Sequence, residues 1–347
     1  MTSTLAAAGP TRHVPRPPGF HRLASSNASW VDLDGRPVTA ADRARLTALR
    51  VPPGWTHVWA SFDPVAPLQA TGVDSRGRTQ YRYSAEAVLR ASRDKFAHLP
   101  VFATALPVLR RQVASDLDGD GLDAAAVTAA VVRLLNQGLF RIGSDRYRRD
   151  NHTFGLTTLR RSQVAVDGAS ATFDFVGKEH VRHAVTVVDP DVARVLRELL
   201  AQDRADDSDL FQIGSPPPGR RIDSVTVNAY IHAHADVASS AKTFRTWGAS
   251  VAAAAVAAGA RFAPVGTSNH LPDHLPVLAA AHLLGNTPAV ARRSYIHPAA
   301  VDVGRRESVR SAVAAAAERL GRDDVGSVHA DPALQDAVAL ELGRAIR

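Results

Sequence analysis

The apolar residues of this chain change their spacing part-way along it, which divides it into two regions. In residues 20–90, apolar and polar side chains alternate over short runs, as they do in strands with one buried face. Two hairpin signals, at residues 30–36 and 72–78, contain glycine where a tight turn needs a positive φ. The alternation places Tyr81 and Tyr83 on one face of the strand after the second hairpin signal. This region is therefore predicted to be β-rich.

In the second region Leu, Val and Ala recur every three or four residues, the period of a helix with one buried face. The predicted helices cover residues 85–96, 99–115, 123–136, 189–203, 224–234 and 241–258, and a shorter one covers 39–50 in the first region. Alternation at residues 162–166, 171–176 and 181–187 predicts a short antiparallel sheet between them. The predicted fold class is α+β, with a small β-rich N-terminal domain and a mostly α-helical second domain.

A length of 347 residues is typical of about two domains. The composition predicts a disordered tail at residues 1–19, a β-rich domain at 20–90, a helical domain at 91–302 and a charged helical tail at 303–347. The first residues contain prolines and arginines where a signal peptide needs an apolar core. The longest apolar run, residues 249–258, is too short to cross a bilayer. A cytoplasmic protein without a membrane partner is expected.

The charge balance indicates a polyanionic partner. The formal net charge is +7 and the pI is about 10.3, which favours salt-sensitive contacts to phosphates. The chain contains no cysteine, which excludes disulfides, cysteine-ligated zinc and a thiol nucleophile.

Metal and nucleotide motifs are incomplete. Residues 116–121 resemble the start of a calcium loop, but its twelfth position is Val127 where a bidentate glutamate is required. No glycine-rich loop ends in Gly-Lys-Ser or Gly-Lys-Thr, which argues against ATP use. Three histidine pairs lack the further ligands of a zinc enzyme: His180 with His183, His232 with His234, and His270 with His274. No cofactor and no metal are expected.

Only three of the 41 basic residues are lysines: Lys95, Lys178 and Lys242. Arginine stays protonated at any usable pH, whereas a lysine can be tuned to give up a proton. Lys178 follows a predicted strand and the turn residue Gly177. An isolated hairpin lysine is most often a solvated surface residue.

Four residues in separate motifs nevertheless make one chemical set: Arg141, Lys178, Arg245 and Tyr295. Each of them alone is more typical of a surface ion pair or a half-buried core position. Together, two guanidiniums can bind the non-bridging oxygens of a phosphodiester, a tyrosine can attack phosphorus, and a lysine can protonate the leaving oxygen. The set predicts phosphoryl transfer on a nucleic acid.

Two N-terminal motifs make the resemblance specific. Val51-Pro-Pro-Gly-Trp55-Thr-His-Val-Trp59 is similar to a Pro-Pro-x-Trp-x-x-Val-Trp segment, and residues 72–83 are similar to a Gly-x-Asp-x-x-Gly-Arg-x-Gln-Tyr-x-Tyr hairpin. Both occur in the type IB DNA topoisomerases of the bacterial, poxvirus-like group. The chain resembles this family from about Phe20 to Pro298, and the resemblance implies the catalytic fold that topoisomerases IB share with tyrosine recombinases.

The resemblance also implies a role for each site residue. Arg141 and Arg245 match the family's catalytic arginines, Lys178 its general acid, and Tyr295 its nucleophile. Asn286 occupies the position nine residues before the tyrosine, where poxvirus and nuclear enzymes have histidine and the bacterial branch has asparagine. The residues expected to contact DNA are Arg78, Gln80, Tyr81, Tyr83 and Tyr147.

The implied activity is a monomeric topoisomerase, associated with the nucleoid, that closes around double-stranded DNA. It relaxes supercoils of either sign through a 3′-phosphotyrosyl intermediate, without ATP or metal. Two alternatives remain open at this point. A tyrosine recombinase shares the Arg-Lys-Arg-Tyr set, although its His-x-x-Arg signature is replaced here by Lys242-Thr-Phe-Arg245 and its N-terminal domain is helical. A non-catalytic architectural protein shares the charge but does not need Lys178 or Tyr295.

Overall fold

The computed structural model describes residues 17–23, 29–119, 121–214, 219–235, 238–263 and 274–345. The chain divides into two compact units, a first that ends at Asp94 and a second that runs from Lys95 to Arg347. Most of the predicted N-terminal tail lies outside the described residues. None of the helices within the described ranges has the length and apolarity needed to cross a membrane.

The first unit is built on a five-stranded antiparallel sheet with the order β2-β1-β3-β4-β5. The strands are β1 (Gly19–Arg22), β2 (Trp30–Val31), β3 (Thr56–Ser61), β4 (Leu68–Val73) and β5 (Thr79–Tyr83). Helix α1 (Ala40–Ala48) begins at Thr39, whose side chain accepts a hydrogen bond from the Asp42 amide. Leu46 of α1 is buried with apolar residues of the sheet, so the alternating pattern gives the unit a core of its own.

The second unit is mostly helical. Helix α2 (Ala85–Ala97) lies mostly in the first unit and ends in the second. The helices of the second unit up to its centre are α3 (Leu99–Leu117), α4 (Ala124–Gly138), α5 (Asp145–Asn151), α6 (Pro190–Ala201), α7 (Ser224–His234) and α8 (Ala241–Ala257). Aspartates 123, 189 and 223 cap α4, α6 and α7 by accepting from backbone amides of the first turn. Strands β6 (Val164–Asp167), β7 (Ser170–Val176) and β8 (Arg182–Val188) form an antiparallel meander, and β9 (Gln212–Ile213) pairs with β10 (Arg220–Arg221). The predicted α+β class is confirmed.

Helix α8 is the centre of the second unit, because nearly every side chain along it is buried. Small residues let neighbouring helices approach α8 closely. At Gly304, for example, a β-carbon would lie only 2.3 Å from the carbonyl oxygen of Ala254 in α8. The helices around its far end are α9 (Leu275–Leu284), α10 (Pro288–Ser294), α11 (Ala300–Gly304), α12 (Glu307–Leu320), α13 (Val325–Val328) and α14 (Pro332–Ala345). Val309, Val338 and Leu342 of the last helices are buried in the same core as α8.

Candidate active site

The end of α4 places Arg141 beside α8. Leu139 ends the helix in the left-handed region, at φ +47°, and its side chain packs on Gly248, where a β-carbon would lie 2.2 Å from Leu139 Cδ2. A glycine at position 248 therefore lets the end of α4 approach α8 one turn after Arg245. This contact positions the segment that carries Arg141.

Arg141 and Asn286 form a direct pair. Arg141 Nη2 donates to Asn286 Oδ1 at 2.6 Å. Asn286 follows Gly285, which ends α9 in the left-handed region at φ +59°. The amide nitrogen Nδ2 of Asn286 is buried and has no acceptor among the described residues. A buried donor without a partner costs free energy, so this N–H is available to an incoming acceptor.

Arg245 is the most deeply buried member of the site, with 4% of its surface exposed. Its Nη1 donates to the Leu139 carbonyl, and its Nη2 donates to the Leu284 carbonyl at 2.9 Å. Burial and the nearby Arg141 charge lower the pKa of Arg245. The guanidinium thus joins the ends of α4 and α9, while its buried Nε has no partner among the described residues.

Tyr295 follows α10 and lies against Arg245. The guanidinium carbon of Arg245 is 5.5 Å from the centroid of the Tyr295 ring, a cation–π contact. Two side chains hold the backbone next to Tyr295. Lys95 Nζ donates to the Ser294 carbonyl at 2.8 Å, and Ser250 Oγ, which donates to the Thr246 carbonyl of its own helix, accepts from the His297 amide at 2.8 Å. The structure therefore fixes where the ring of Tyr295 lies.

Two of these contacts involve residues to which the sequence assigned no role. Burial, with a smaller contribution from the charge of Lys242, lowers the pKa of Lys95 to about 8. The rarity of lysine in this chain was a signal for Lys95. Ser250 had none, since a serine in an alanine-rich helix resembles its neighbours.

Lys178 is the most exposed of the five predicted catalytic residues. It lies in the turn between β7 and β8, its side chain is 58% exposed, and its Nζ is 4.0 Å from a Glu179 carboxylate oxygen. Lys178 nevertheless lines the same cavity of about 1150 Å³ as Arg141, Asn286 and Tyr295. The structure thus pairs Arg141 with Asn286 and Arg245 with Tyr295, while Lys178 lines the cavity from the β7–β8 turn.

His183 also lines this cavity. The sequence suggested no role for it except as one half of an incomplete zinc pair with His180. Its ring stacks on Phe175 of the neighbouring strand, with centroids 5.2 Å apart. Burial, together with the charges of Arg141 and Arg245, lowers the pKa of His183 to about 4. The ring is therefore uncharged at neutral pH. Across the described part of the chain, which leaves out His270, no three or more His, Cys, Asp or Glu side chains are grouped to hold a metal ion.

The residues predicted to contact DNA are divided between the two units. Arg78, Gln80, Tyr81 and Tyr83 belong to the β4–β5 hairpin of the first unit, and Tyr147 is exposed on α5 of the second. The rings of Tyr81 and Tyr83 are stacked with centroids 6.2 Å apart, and they are 47% and 54% exposed.

Asp74 organises the turn of this hairpin. One of its oxygens accepts from the backbone amides of Arg76 and Arg78, and the other accepts from Arg78 Nε and Gln80 Nε2, both at 2.8 Å. These hydrogen bonds hold the pKa of Asp74 far below its usual value, so it is a carboxylate at any working pH. Gly77 completes the turn with φ +72°.

Two protein-family profiles match this chain, one in its N-terminal part and one in the rest. Residues 27–74 match the profile of the bacterial DNA topoisomerase IB N-terminal domain, and residues 86–294 match that of the eukaryotic DNA topoisomerase I catalytic core.

Individual relatives are viral. The DNA topoisomerase 1B of Acanthamoeba polyphaga mimivirus is 30% identical over 219 residues, which cover 62% of this chain and 64% of that protein. The DNA topoisomerase 1B of vaccinia virus (strain Copenhagen) is 27% identical over 121 residues, 33% of this chain and 37% of that protein. The chain thus spans less than two thirds of the length of these relatives. The catalytic-core match alone covers more than half of the chain, and the protein belongs to the type IB DNA topoisomerase family.

Proposed function

We propose that this protein is an active type IB DNA topoisomerase that relaxes positive and negative supercoils by cutting and resealing one strand. The observation that carries the proposal is the packing of the Tyr295 ring on the Arg245 guanidinium, in a cavity shared with the Arg141–Asn286 pair and Lys178. These are the groups needed to attack a phosphodiester, to stabilise its negative charge and to release an alcohol. The substrate we propose is double-stranded DNA.

In the proposed cleavage step, Tyr295 Oη gives its proton to solvent water and forms a bond to phosphorus while the bond from phosphorus to the 5′-oxygen breaks. The guanidiniums of Arg141 and Arg245 stabilise the negative charge that develops on the phosphate oxygens in the transition state. Lys178 gives a proton to the departing 5′-oxygen. The product is a 3′-phosphotyrosyl link, which keeps the energy of the broken bond.

Stabilisation of the transition state draws on two buried donor atoms of the site. The Asn286 Nδ2 and Arg245 Nε atoms are buried and lack acceptors among the described residues, so a phosphate oxygen would satisfy them. Rotation of the nicked duplex and attack by the 5′-hydroxyl on the phosphotyrosine then restore the strand. Because the reaction is an exchange of phosphodiester bonds, this proposal needs neither ATP nor a metal ion.

The two alternative functions fit the molecule less well. A tyrosine recombinase would not be expected to match a topoisomerase IB N-terminal domain over residues 27–74. An architectural protein has no need for a tyrosine packed on a buried arginine. We further propose that the enzyme acts as a monomer on nucleoid DNA in the cytoplasm.

Plasmid relaxation tests the proposed function. Purified protein is incubated with negatively or positively supercoiled plasmid in the presence of EDTA and without ATP, and the topoisomers are resolved on agarose. Complete relaxation of both substrates is expected. Absence of relaxation together with retained DNA binding would favour the architectural alternative, whereas recombinant products without free relaxation would favour the recombinase.

A first prediction concerns the Arg78 side chain of the β4–β5 hairpin. Binding to duplex DNA should weaken steeply with salt, because neutralised phosphates release counterions. Arg78→Ala should reduce the slope of log affinity against log salt concentration by at most about one unit, since Asp74 already neutralises part of the Arg78 charge. Arg36→Ala, which removes an exposed arginine paired with Asp34, is the control and should leave the slope unchanged. A slope unaffected by Arg78→Ala would show that this arginine does not contact a phosphate.

Asn286 accepts from Arg141 through Oδ1, and its Nδ2 has no acceptor in the described part of the chain. Asn286→Ala should slow single-turnover cleavage of a suicide duplex by roughly tenfold, about the value of one neutral hydrogen bond. Asn286→Asp should be slower still, because it keeps the acceptor for Arg141 but places negative charge where the Nδ2 donor was. An aspartate variant as fast as the parent would show that Nδ2 does not donate to the phosphate.

A further inference from the structure

The His183 ring occupies a slot between two glycine backbones. A β-carbon at Gly177 would lie 2.6 Å from His183 Cδ2, and a β-carbon at Gly285 would lie 2.3 Å from His183 Cε1. The same imidazole therefore contacts two chain segments that are far apart in sequence. Phe175, which pairs with His183 across the β7–β8 ladder, stacks on the face of the ring.

The conformation of Gly177 does not itself require glycine. Its φ of −94° and ψ of −165° describe extended backbone that any residue adopts. The need for glycine at position 177 is therefore steric, since any side chain there would collide with the His183 ring. Glycine is needed at position 285 for two reasons: a side chain would collide with the His183 ring, and the backbone ends α9 at φ +59°.

These two glycines immediately precede two residues of the proposed reaction. Gly177 is followed by Lys178, and Gly285 is followed by Asn286. One ring therefore sets the distance between the segment that carries the proposed acid and the segment that carries the proposed phosphate donor. The ring adds no positive charge beside Arg141 and Arg245, because burial and those two charges keep it neutral.

The turn that carries Lys178 needs such support. Glu179 and His180 both have positive φ, 65° and 60°, which is unfavourable for residues with a β-carbon. Two backbone hydrogen bonds close the turn, from the Gly177 amide to the Val181 carbonyl at 2.8 Å and from the His180 amide to the Gly177 carbonyl at 3.1 Å. Packing of Gly177 on the His183 ring supplies a lateral contact next to Lys178.

We propose that His183 is a positioning residue that holds the Lys178 turn at a fixed distance from Asn286, so that the lysine reaches the leaving oxygen. The proposal rests on the proposed function. His183 acts through packing of its flat ring, and the step that depends on it most is proton transfer to the 5′-oxygen. Displacements of about 1 Å can cost on the order of 10²-fold in rate, so the loss of this contact should be measurable.

The test compares two suicide duplexes in single-turnover cleavage. One has an ordinary phosphodiester, and the other has a 5′-phosphorothiolate, whose sulfur leaves without a proton. His183→Ala should slow the first reaction by about 10–10²-fold, and the thiolate substrate should recover most of that loss. An unchanged rate, or an equal loss on both substrates, would overturn the proposal. His232→Ala, which alters an exposed histidine of α7, is the matched control.

Two further variants test whether His183 acts by packing or by hydrogen bonding. His183→Phe restores a flat ring without ring nitrogens and should recover much of the rate, whereas recovery by His183→Gln alone would assign a hydrogen-bonding role and overturn the proposal. Gly177→Ala should be harmful in the parent and milder in the His183→Ala background, where the colliding ring is absent. Equal harm in both backgrounds would contradict the packing contact. Thermal unfolding of every variant identifies any that fails to fold.

The same measurements distinguish an inactive protein from an active one in which His183 has no positioning role. If the parent protein forms no covalent complex with either duplex, the proposed function is wrong. If the parent cleaves both duplexes and His183→Ala behaves like the parent, only the role of His183 is wrong.

Discussion

Tyr295→Phe is expected to bind duplex DNA as the parent does and to form no covalent complex with it. The substitution removes only the hydroxyl oxygen that we propose as the nucleophile. The ring keeps its contact with the Arg245 guanidinium and its place against the apolar residues around α9 and α10. Relaxation and SDS-stable adduct should therefore disappear together, while a gel-shift assay should give an unchanged affinity.

The matched control is Tyr230→Phe, since the chain has only five tyrosines. Tyr230 donates its hydroxyl hydrogen bond to Asp116 at 2.5 Å, so its replacement should lower stability and leave the adduct intact. Peptide mapping of the parent adduct should identify the peptide that contains Tyr295. A covalent complex formed by Tyr295→Phe, or an adduct on any other tyrosine, would contradict the proposed mechanism.

Arg245 shows that one residue can support both the fold and the chemistry. The terminal nitrogens of its guanidinium donate to the carbonyls of Leu139 and Leu284. The sequence predicted a guanidinium that binds the non-bridging oxygens of a phosphodiester. In the structure the guanidinium also connects two helix ends, and its buried Nε has no acceptor among the described residues. Loss of this side chain would therefore disturb the positions of Arg141 and Asn286 as well as remove charge.

Much of the fold could be predicted because its elements carry strong periodic signals. Helix α8 appears in the sequence as residues 241–258 and in the structure as Ala241–Ala257, and the β7–β8 pair was expected within a residue of its observed limits. Both elements are long and regular, with their buried faces determined by local pattern. The short helices α5 and α10 could not be predicted this way, since seven residues are too few to establish a period.

The site was less predictable because its contacts are between backbone atoms and side chains distant in sequence. Arg245 and Lys95 donate to backbone carbonyls, among them those of Leu139 and Ser294. Every residue has a backbone carbonyl, so no sequence motif could reveal these contacts. The turn at Lys178 was expected from Gly177, but the positive φ angles belong to Glu179 and His180, which are not typical turn residues. The role of Gly177 becomes visible only with the His183 ring beside it.

Lys178→Ala is expected to slow cleavage of an ordinary phosphodiester by about 10²–10⁴-fold, the usual value of general acid catalysis. The 5′-oxygen is a poor leaving group without a proton, and the Lys178 ammonium group lines the cavity that contains Tyr295. A 5′-phosphorothiolate duplex should recover most of the loss, because a thiolate leaves readily without protonation. The measurement is single-turnover formation of the covalent complex on both duplexes.

Lys178→Arg distinguishes two possible roles of the lysine, donation of a proton and supply of a positive charge. A guanidinium keeps the charge but does not give up its proton at usable pH, so this variant should remain slow on the phosphodiester and fast on the phosphorothiolate. Glu179→Gln is the control for the neighbouring carboxylate, which lies 4.0 Å from Lys178 Nζ, and it should retain most of the parent rate. If Lys178→Arg cleaves the phosphodiester at the parent rate, the lysine supplies charge alone, and the proton must come from another group in the cavity. An equal loss on both duplexes for Lys178→Ala would likewise remove the lysine from the role of acid.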